Sequence, residues 1–236
     1  MAGARFRAGP ALTALTLPAG PLTGPLTGLL GGSFNPAHGG HRRISLFARA
    51  ALGLDEVWWL VSPGNVLKPA AGMAPLAARL ASAQTMSRNA PIRATAIEQE
   101  LGTRFTVDTL RAIRRRFPRR RFVWIMGADN LAQFHRWKDW RGIAREMPIA
   151  VIARPGYDAA ALASPAMAWL RRWRPRPGQF GYGARRCAPA LTIIRFDPDD
   201  RSASAIRAAD PEWASRIPVA RLRDAVTHRP IGRGKS

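Results

Sequence analysis

Gly31-Gly32-Ser33-Phe34-Asn35-Pro36-Ala37-His38-Gly39-Gly40-His41 joins an apolar run, Leu26 to Leu30, to a stretch in which Leu46, Phe47, Ala50 and Leu54 recur at helical spacing. The run has the length of a strand, and the recurrence predicts a helix that starts near Gly39 or Gly40. Two glycines at the junction suit a sharp turn and the close approach of a ligand. Unpaired N–H groups at a helix start carry the positive end of the helix dipole, so the junction reads as an anion site, with nucleotide phosphates as the anion it suits. His38 and His41 stand one turn apart and are expected on the same side of that first turn. Their ring N–H groups would meet the charge that builds on a phosphate during displacement, and a nearby polyphosphate would favour the protonated, better-donating form.

The same residues thin out the competing readings. His-x-x-His is also a zinc spacing, but the chain has one cysteine and no acidic residue within the motif, so no protein metal site is expected here. Neither G-x-G-x-x-G nor G-x-x-x-x-G-K-[ST] occurs, which argues against the dinucleotide fingerprint and the P-loop. A pair of surface histidines on an ordinary capped helix is the reading that needs no ligand.

Gly32-Ser33-Phe34-Asn35-Pro36-Ala37-His38-Gly39-Gly40-His41 resembles the G-S-F-N-P-x-H-x-G-H signature of the HxGH-motif nucleotidyltransferase superfamily, in its nicotinate-mononucleotide adenylyltransferase branch. Further matches follow in order: Pro63-Gly64-Asn65-Val66-Leu67-Lys68, Thr106-Val107-Asp108-Thr109-Leu110, Gly127-Ala128-Asp129-Asn130-Leu131, Trp137 with Trp140, and Ser202-Ala203-Ser204-Ala205-Ile206-Arg207. Together they span about residues 26 to 229.

With 236 residues, 47% of them hydrophobic, the chain can bury one good core, and a single catalytic domain over 26–229 is expected. The lone cysteine, Cys187, excludes an intramolecular disulfide framework and fits a reducing, cytoplasmic compartment. No apolar run approaches the roughly 20 residues that cross a bilayer, so no membrane partner is expected. Residues 1–25 mix Ala, Gly, Pro, Leu and Thr with Arg5 and Arg7; the prolines and glycines interrupt any targeting helix, and a disordered extension or a mis-called start site is the expectation. Residues 230–236 read as a basic tail. The net charge of +22 is almost all arginine, as a GC-rich coding bias would give, although part of it could steer polyphosphates to the site. No specific nucleic-acid partner is expected. The oligomeric state is open, a homo-oligomer included.

Apolar segments alternate with helical ones, the pattern of a doubly wound parallel sheet in an α/β, Rossmann-like fold. Strands are expected at Glu56 to Ser62, Ile92 to Ile97, Arg121 to Met126, Ile149 to Ala153 and Leu191 to Phe196, with helices at Pro75 to Ser87, Val107 to Phe117 and from about Ser204. Residues 158–190 read as a loop-rich insertion. Arg114-Arg115-Arg116 and Arg119-Arg120-Arg121 read as a solvated helix end and the turn after it. Ligands in such sheets gather beyond the carboxyl ends of the strands, where the motifs fall.

The resemblance implies adenylyl transfer from ATP to nicotinate mononucleotide, giving deamido-NAD and pyrophosphate without a covalent enzyme intermediate. It implies His38 and His41 as catalytic residues on the triphosphate, with Gly32, Ser33, Phe34, Lys68, Ser204, Ile206 and Arg207 also binding ATP. Ser204 and Arg207 lie in a departure from the family's I-S-S-T-x-I-R, with Arg201, Ala203 and Ser204 in place of isoleucine, serine and threonine. Asp129 is implied to bind a ribose hydroxyl. Thr106, Trp137 and Lys138 are implied to take the nicotinate ring and its carboxylate. Mg2+ is expected to come with ATP, held mostly by phosphates and water. The alternatives are another acceptor, nicotinamide mononucleotide or phosphopantetheine, or an inactive arginine-rich nucleic-acid-binding protein.

Overall fold

Glu56-Val57-Trp58-Trp59-Leu60-Val61 is apolar at nearly every position, as a parallel strand covered by helices on both faces must be. The computed structural model describes residues 24–64, 72–153, 158–174, 188–196 and 202–231. Its strands are β1 (Leu26–Gly32), β2 (Glu56–Val61), β3 (Ile92–Thr95), β4 (Arg121–Gly127), β5 (Ile149–Ala153) and β6 (Leu191–Arg195). They form one sheet in the order β3-β2-β1-β4-β5-β6, every neighbouring pair parallel. The chain winds outward from β1 to β3 and then crosses back to β4. The connections after β1 and β4 therefore leave in opposite directions and open a crevice at the carboxyl ends of those strands.

The helices are α1 (Gly39–Leu52), α2 (Leu76–Ser87), α3 (Ile97–Leu101), α4 (Thr106–Arg116), α5 (Ala128–Gln133), α6 (Trp140–Glu146), α7 (Asp158–Leu162), α8 (Pro165–Leu170) and α9 (Ala203–Ala209). Side chains of β2 alternate between the two faces. Val57, Trp59 and Val61 pack with Leu52 and Leu80 under α1 and α2. Trp58 and Leu60 pack with Leu110, Ile113 and Ile143 under α4 and α6. The buried indole N–H of Trp59 donates to Ser45 Oγ at 2.7 Å, so this tryptophan joins sheet to helix without an orphaned donor.

Three expectations are corrected. The strand expected to Ile97 stops at Thr95, and α3 follows. The Thr95 hydroxyl and the Ala96 N–H both donate to the buried carboxylate of Asp224, at 2.9 and 2.7 Å, a partner far along the chain that no local pattern displays. The described part of the loop-rich segment is largely helical: Ser164 caps α8 through the Met167 N–H, Pro165 opens it, and Ala166, Met167 and Leu170 are buried. The arginine runs do mark the end of α4 and the turn after it, with Arg115 and Arg119 exposed, but other members of the runs are bonded and not merely solvated. Arg114 meets Glu146 at 2.7 Å, Arg116 meets Glu100 at 2.8 Å, and Arg120 meets Glu56 at 2.5 Å.

Candidate active site

His38 is the N-cap of α1 and uses its ring for the purpose. Its Nδ1 accepts the Gly40 N–H at 3.2 Å, while Nδ1 of His41 accepts the His38 N–H at 3.2 Å. This is a reciprocal capping box built from two imidazoles, and it sets the ring centroids 3.9 Å apart on one side of the first turn. Because each Nδ1 receives a backbone proton, the neutral ring carries its own proton on Nε2. A second proton, which a nearby polyphosphate would favour, would go onto Nδ1 and displace a backbone N–H.

The sharp turn is not made by the glycines. Gly31 and Gly32 lie in β1, and the left-handed residue is Phe34, at φ 46°. Gly31 is needed for space instead, since a Cβ there would come within 2.6 Å of the Trp124 indole. The Phe34 side chain belongs to the core. It is 1% exposed, stacked on Trp59 at 5.1 Å and against His41 at 4.8 Å, so it supports the His41 ring from below.

Two residues with no assigned role brace this turn. The buried Arg79 guanidinium donates to the carbonyls of Ser33 (2.8 Å), Ser62 (2.7 Å), Pro63 (3.2 Å) and Ala74 (2.8 Å). Burial lowers its pKa to about 10, which leaves it cationic at neutral pH. Asn35 spans the other side, its amide donating to the Gly72 carbonyl and its oxygen accepting the Ala74 N–H. An arginine inside an Ala-rich helix carries no local sign of this task. From the far end of the domain, Arg207 on α9 donates to the Asn35 carbonyl at 2.6 Å and to Ser204 Oγ at 3.1 Å. The N-cap of α9 is Ser202, whose Oγ accepts the Ala205 N–H, so the Ser204 hydroxyl is not engaged in capping. Ile206 is half-buried on the same helix. Lys68 lies outside the described residues.

Between the ends of β1 and β4 lies a cavity of about 590 Å³, within the usual range for small-molecule sites. Gly32, Ser33 and His41 form one wall, and Thr106, Trp137, Lys138 and Asp129 line it elsewhere. Asp129 is the second residue of α5, where Gly127 leaves room for its carboxylate. Trp137 stands edge-on to Trp124 and Phe134, whereas Trp140 is buried in the core. Lys138 pairs with Asp108 at 3.1 Å and sits over the Phe105 ring. Glu98, which the sequence reading passed over, also lines the cavity. Burial pushes its carboxyl up to about 7 against a bond from Thr109 Oγ1 that acts the other way.

The cytidylyltransferase-like family matches residues 29–209, from β1 to the end of α9. A relative from Erythrobacter litoralis, named "probable nicotinate-nucleotide adenylyltransferase", is 69% identical over 205 residues, 87% of this chain and 94% of its own length. The chain belongs to this family. Two relatives with the same name, "probable nicotinate-nucleotide adenylyltransferase", from Bradyrhizobium sp. (strain ORS 278) and Cereibacter sphaeroides (strain ATCC 17025), are 48% and 52% identical, over 80% and 78% of the chain and 98% and 97% of theirs. The fold is shared with a solved Plasmodium falciparum nicotinic acid mononucleotide adenylyltransferase complexed with NaAD. That match has TM-score 0.58 and 16% identity, covering 78% of this chain and 83% of that one. Every family-matched residue from Gly32 to Arg207 falls inside the matched span.

Proposed function

We propose that the chain is a nicotinate-nucleotide adenylyltransferase whose two substrates meet in the crevice between β1 and β4. The reaction joins a 5′-phosphate oxygen of nicotinate mononucleotide to the α-phosphorus of ATP and breaks the bond from that phosphorus to the β-phosphate bridge. Pyrophosphate leaves in line, and deamido-NAD remains. Such a transfer needs alignment and charge neutralisation rather than a protein nucleophile.

The observation that carries this reading is the position of His41 and Thr106 with Trp137 on one cavity. The imidazole pair, locked by its own capping box, presents Nε2–H donors in a fixed geometry, and fixed donors stabilise developing charge without reorganising. Arg207 supplies permanent positive charge at the same turn, with Ser204 beside it. Asp129 would accept from a ribose hydroxyl. The flat face of Trp137 suits a pyridine ring. Thr106 opens α4, an 11-residue helix with no side-chain cap, so its first N–H groups suit the ring's carboxylate. Among the described residues no group of three or more His, Cys, Asp or Glu gathers to hold a metal ion, and Mg2+ enters as part of the Mg-ATP substrate. Among the described residues no helix is long and apolar enough to cross a membrane; with the single cysteine, this supports a cytoplasmic location.

The test is pyrophosphate release from Mg-ATP with nicotinate mononucleotide, nicotinamide mononucleotide or phosphopantetheine offered separately. Preference for the nicotinate form is the expected result, and preference for phosphopantetheine would overturn the acceptor assignment.

A further inference from the structure

Glu98 is a half-buried carboxyl in the wall of the acceptor cavity for which the adenylyl transfer described above has no use. It sits on the short α3, and its Oε1 accepts from Thr109 Oγ1 at 3.4 Å, one turn along α4 from Thr106. Thr109 in turn shares a hydrogen bond with Thr103 at 2.8 Å and reaches the Phe105 carbonyl at 3.3 Å, so the carboxyl sits beside a hydroxyl network that joins α3, the connecting loop and the start of α4. Among the described residues it has no ion-pair partner. The neighbouring charges are otherwise engaged or open to water. Lys138 is paired with Asp108, Glu100 with Arg116 and Arg229, and Arg104, Arg136 and Asp129 are exposed on the cavity rim.

We propose that Glu98 determines the choice between acid and amide acceptors: as a neutral carboxylic acid it donates a hydrogen bond to the pyridine carboxylate, and as a carboxylate it repels that group. This rests on the acceptor site lying at Thr106 and Trp137. Two carboxylates in one poorly solvated site cannot both stay ionised, so one proton is shared between them. Burial already pushes the carboxyl up to about 7, and an arriving anion pushes it higher. Below that pH the acid binds to a site already carrying the proton; above it, binding must take a proton from solution.

The experiment measures KM for nicotinate mononucleotide and for nicotinamide mononucleotide from about pH 6 to about pH 9, in the native chain and in Glu98→Gln. Both mononucleotides carry the same 5′-phosphate, whose titration cancels in the ratio. In the native chain the preference for the acid falls as pH rises through 7, by at most about tenfold per pH unit, the limit for one proton. Glu98→Gln, which keeps a donor but cannot ionise, gives a flat ratio. Calorimetry of nicotinate mononucleotide binding at about pH 8, in two buffers of different ionisation enthalpy, gives proton uptake approaching one per site in the native chain, and the amide gives none. A flat ratio or no proton uptake in the native chain overturns the proposal while leaving the adenylyl transfer intact. A slope that survives in Glu98→Gln also overturns it. Turnover with neither mononucleotide overturns the acceptor assignment itself, and the proposal with it.

Discussion

Replacing Arg79 by Met removes a cation that four carbonyls share and leaves a side chain of comparable length in the helix. Hydrogen bonds to charged groups contribute about 1.5–3 kcal/mol each, so simple addition over the Arg79 bonds gives more than about 6 kcal/mol. Two effects reduce that figure. Ser33, Ser62 and Ala74 are half-buried and Pro63 is exposed, so water can reach several of the freed carbonyls. The folded state also no longer carries a desolvated charge, a cost visible in the lowered pKa of about 10. A net loss of about 3–5 kcal/mol remains. For a chain of this length it lowers the melting temperature by roughly 6–20 °C. Circular dichroism during heating and a guanidinium titration with unchanged slope measure it. Turnover well below the melting temperature should also fall, because Arg79 ties the turn after β1 to the turn after β2. Arg79→Lys keeps the charge but not the planar fork and should fall between the two. A melting temperature for Arg79→Met within about 2 °C of the native value would refute the reasoning.

His41→Ala removes one fixed donor and should lower kcat by about 10²–10³-fold with the fold kept by circular dichroism; turnover within a few-fold of native would remove His41 from the site. Trp137→Ala should raise KM for the mononucleotide by roughly tenfold, the scale of one lost base–aromatic stack, and leave KM for ATP nearly unchanged; a change confined to ATP would contradict the assignment. Gly31→Ala drives a methyl into the Trp124 ring and should destabilise the chain by about 1–3 kcal/mol, read by denaturant titration. The raised carboxyl of Glu98 also has a stability signature. The folded chain holds a proton there between about pH 4.5 and about pH 7 that the unfolded chain has released. Stability contributed by this group is thus present below that window and lost as pH rises through it. Glu98→Gln should flatten this fall, worth at most about 2 kcal/mol after allowance for partial exposure, in denaturant titrations at about pH 5 and about pH 8.

By itself the sequence determined most of the sheet and the place of the phosphate turn. Its strands are short apolar runs between helical stretches, and both signals are local: Leu26 to Leu30, Glu56 to Val61 and Ile149 to Ala153 need no partner to be read. His38 and His41 after the first strand and Asp129 after the fourth could be placed at strand ends for the same reason, and the sheet's winding brings His41 and Asp129 onto one cavity, where Thr106 and Trp137 join them. Tertiary structure decided whatever depends on a partner distant in sequence. β3 ends at Thr95 because Asp224 takes its hydroxyl and the next N–H. The motif names Phe34 but does not tell where its side chain goes; a left-handed backbone turns the ring into the core under His41. Arg79 and Glu98 look like ordinary charged residues on helices. Only burial beside carbonyls makes the first a clamp, and only burial in the cavity wall lifts the second into the neutral pH range, because desolvation acts on a charge through the surroundings that the whole fold assembles.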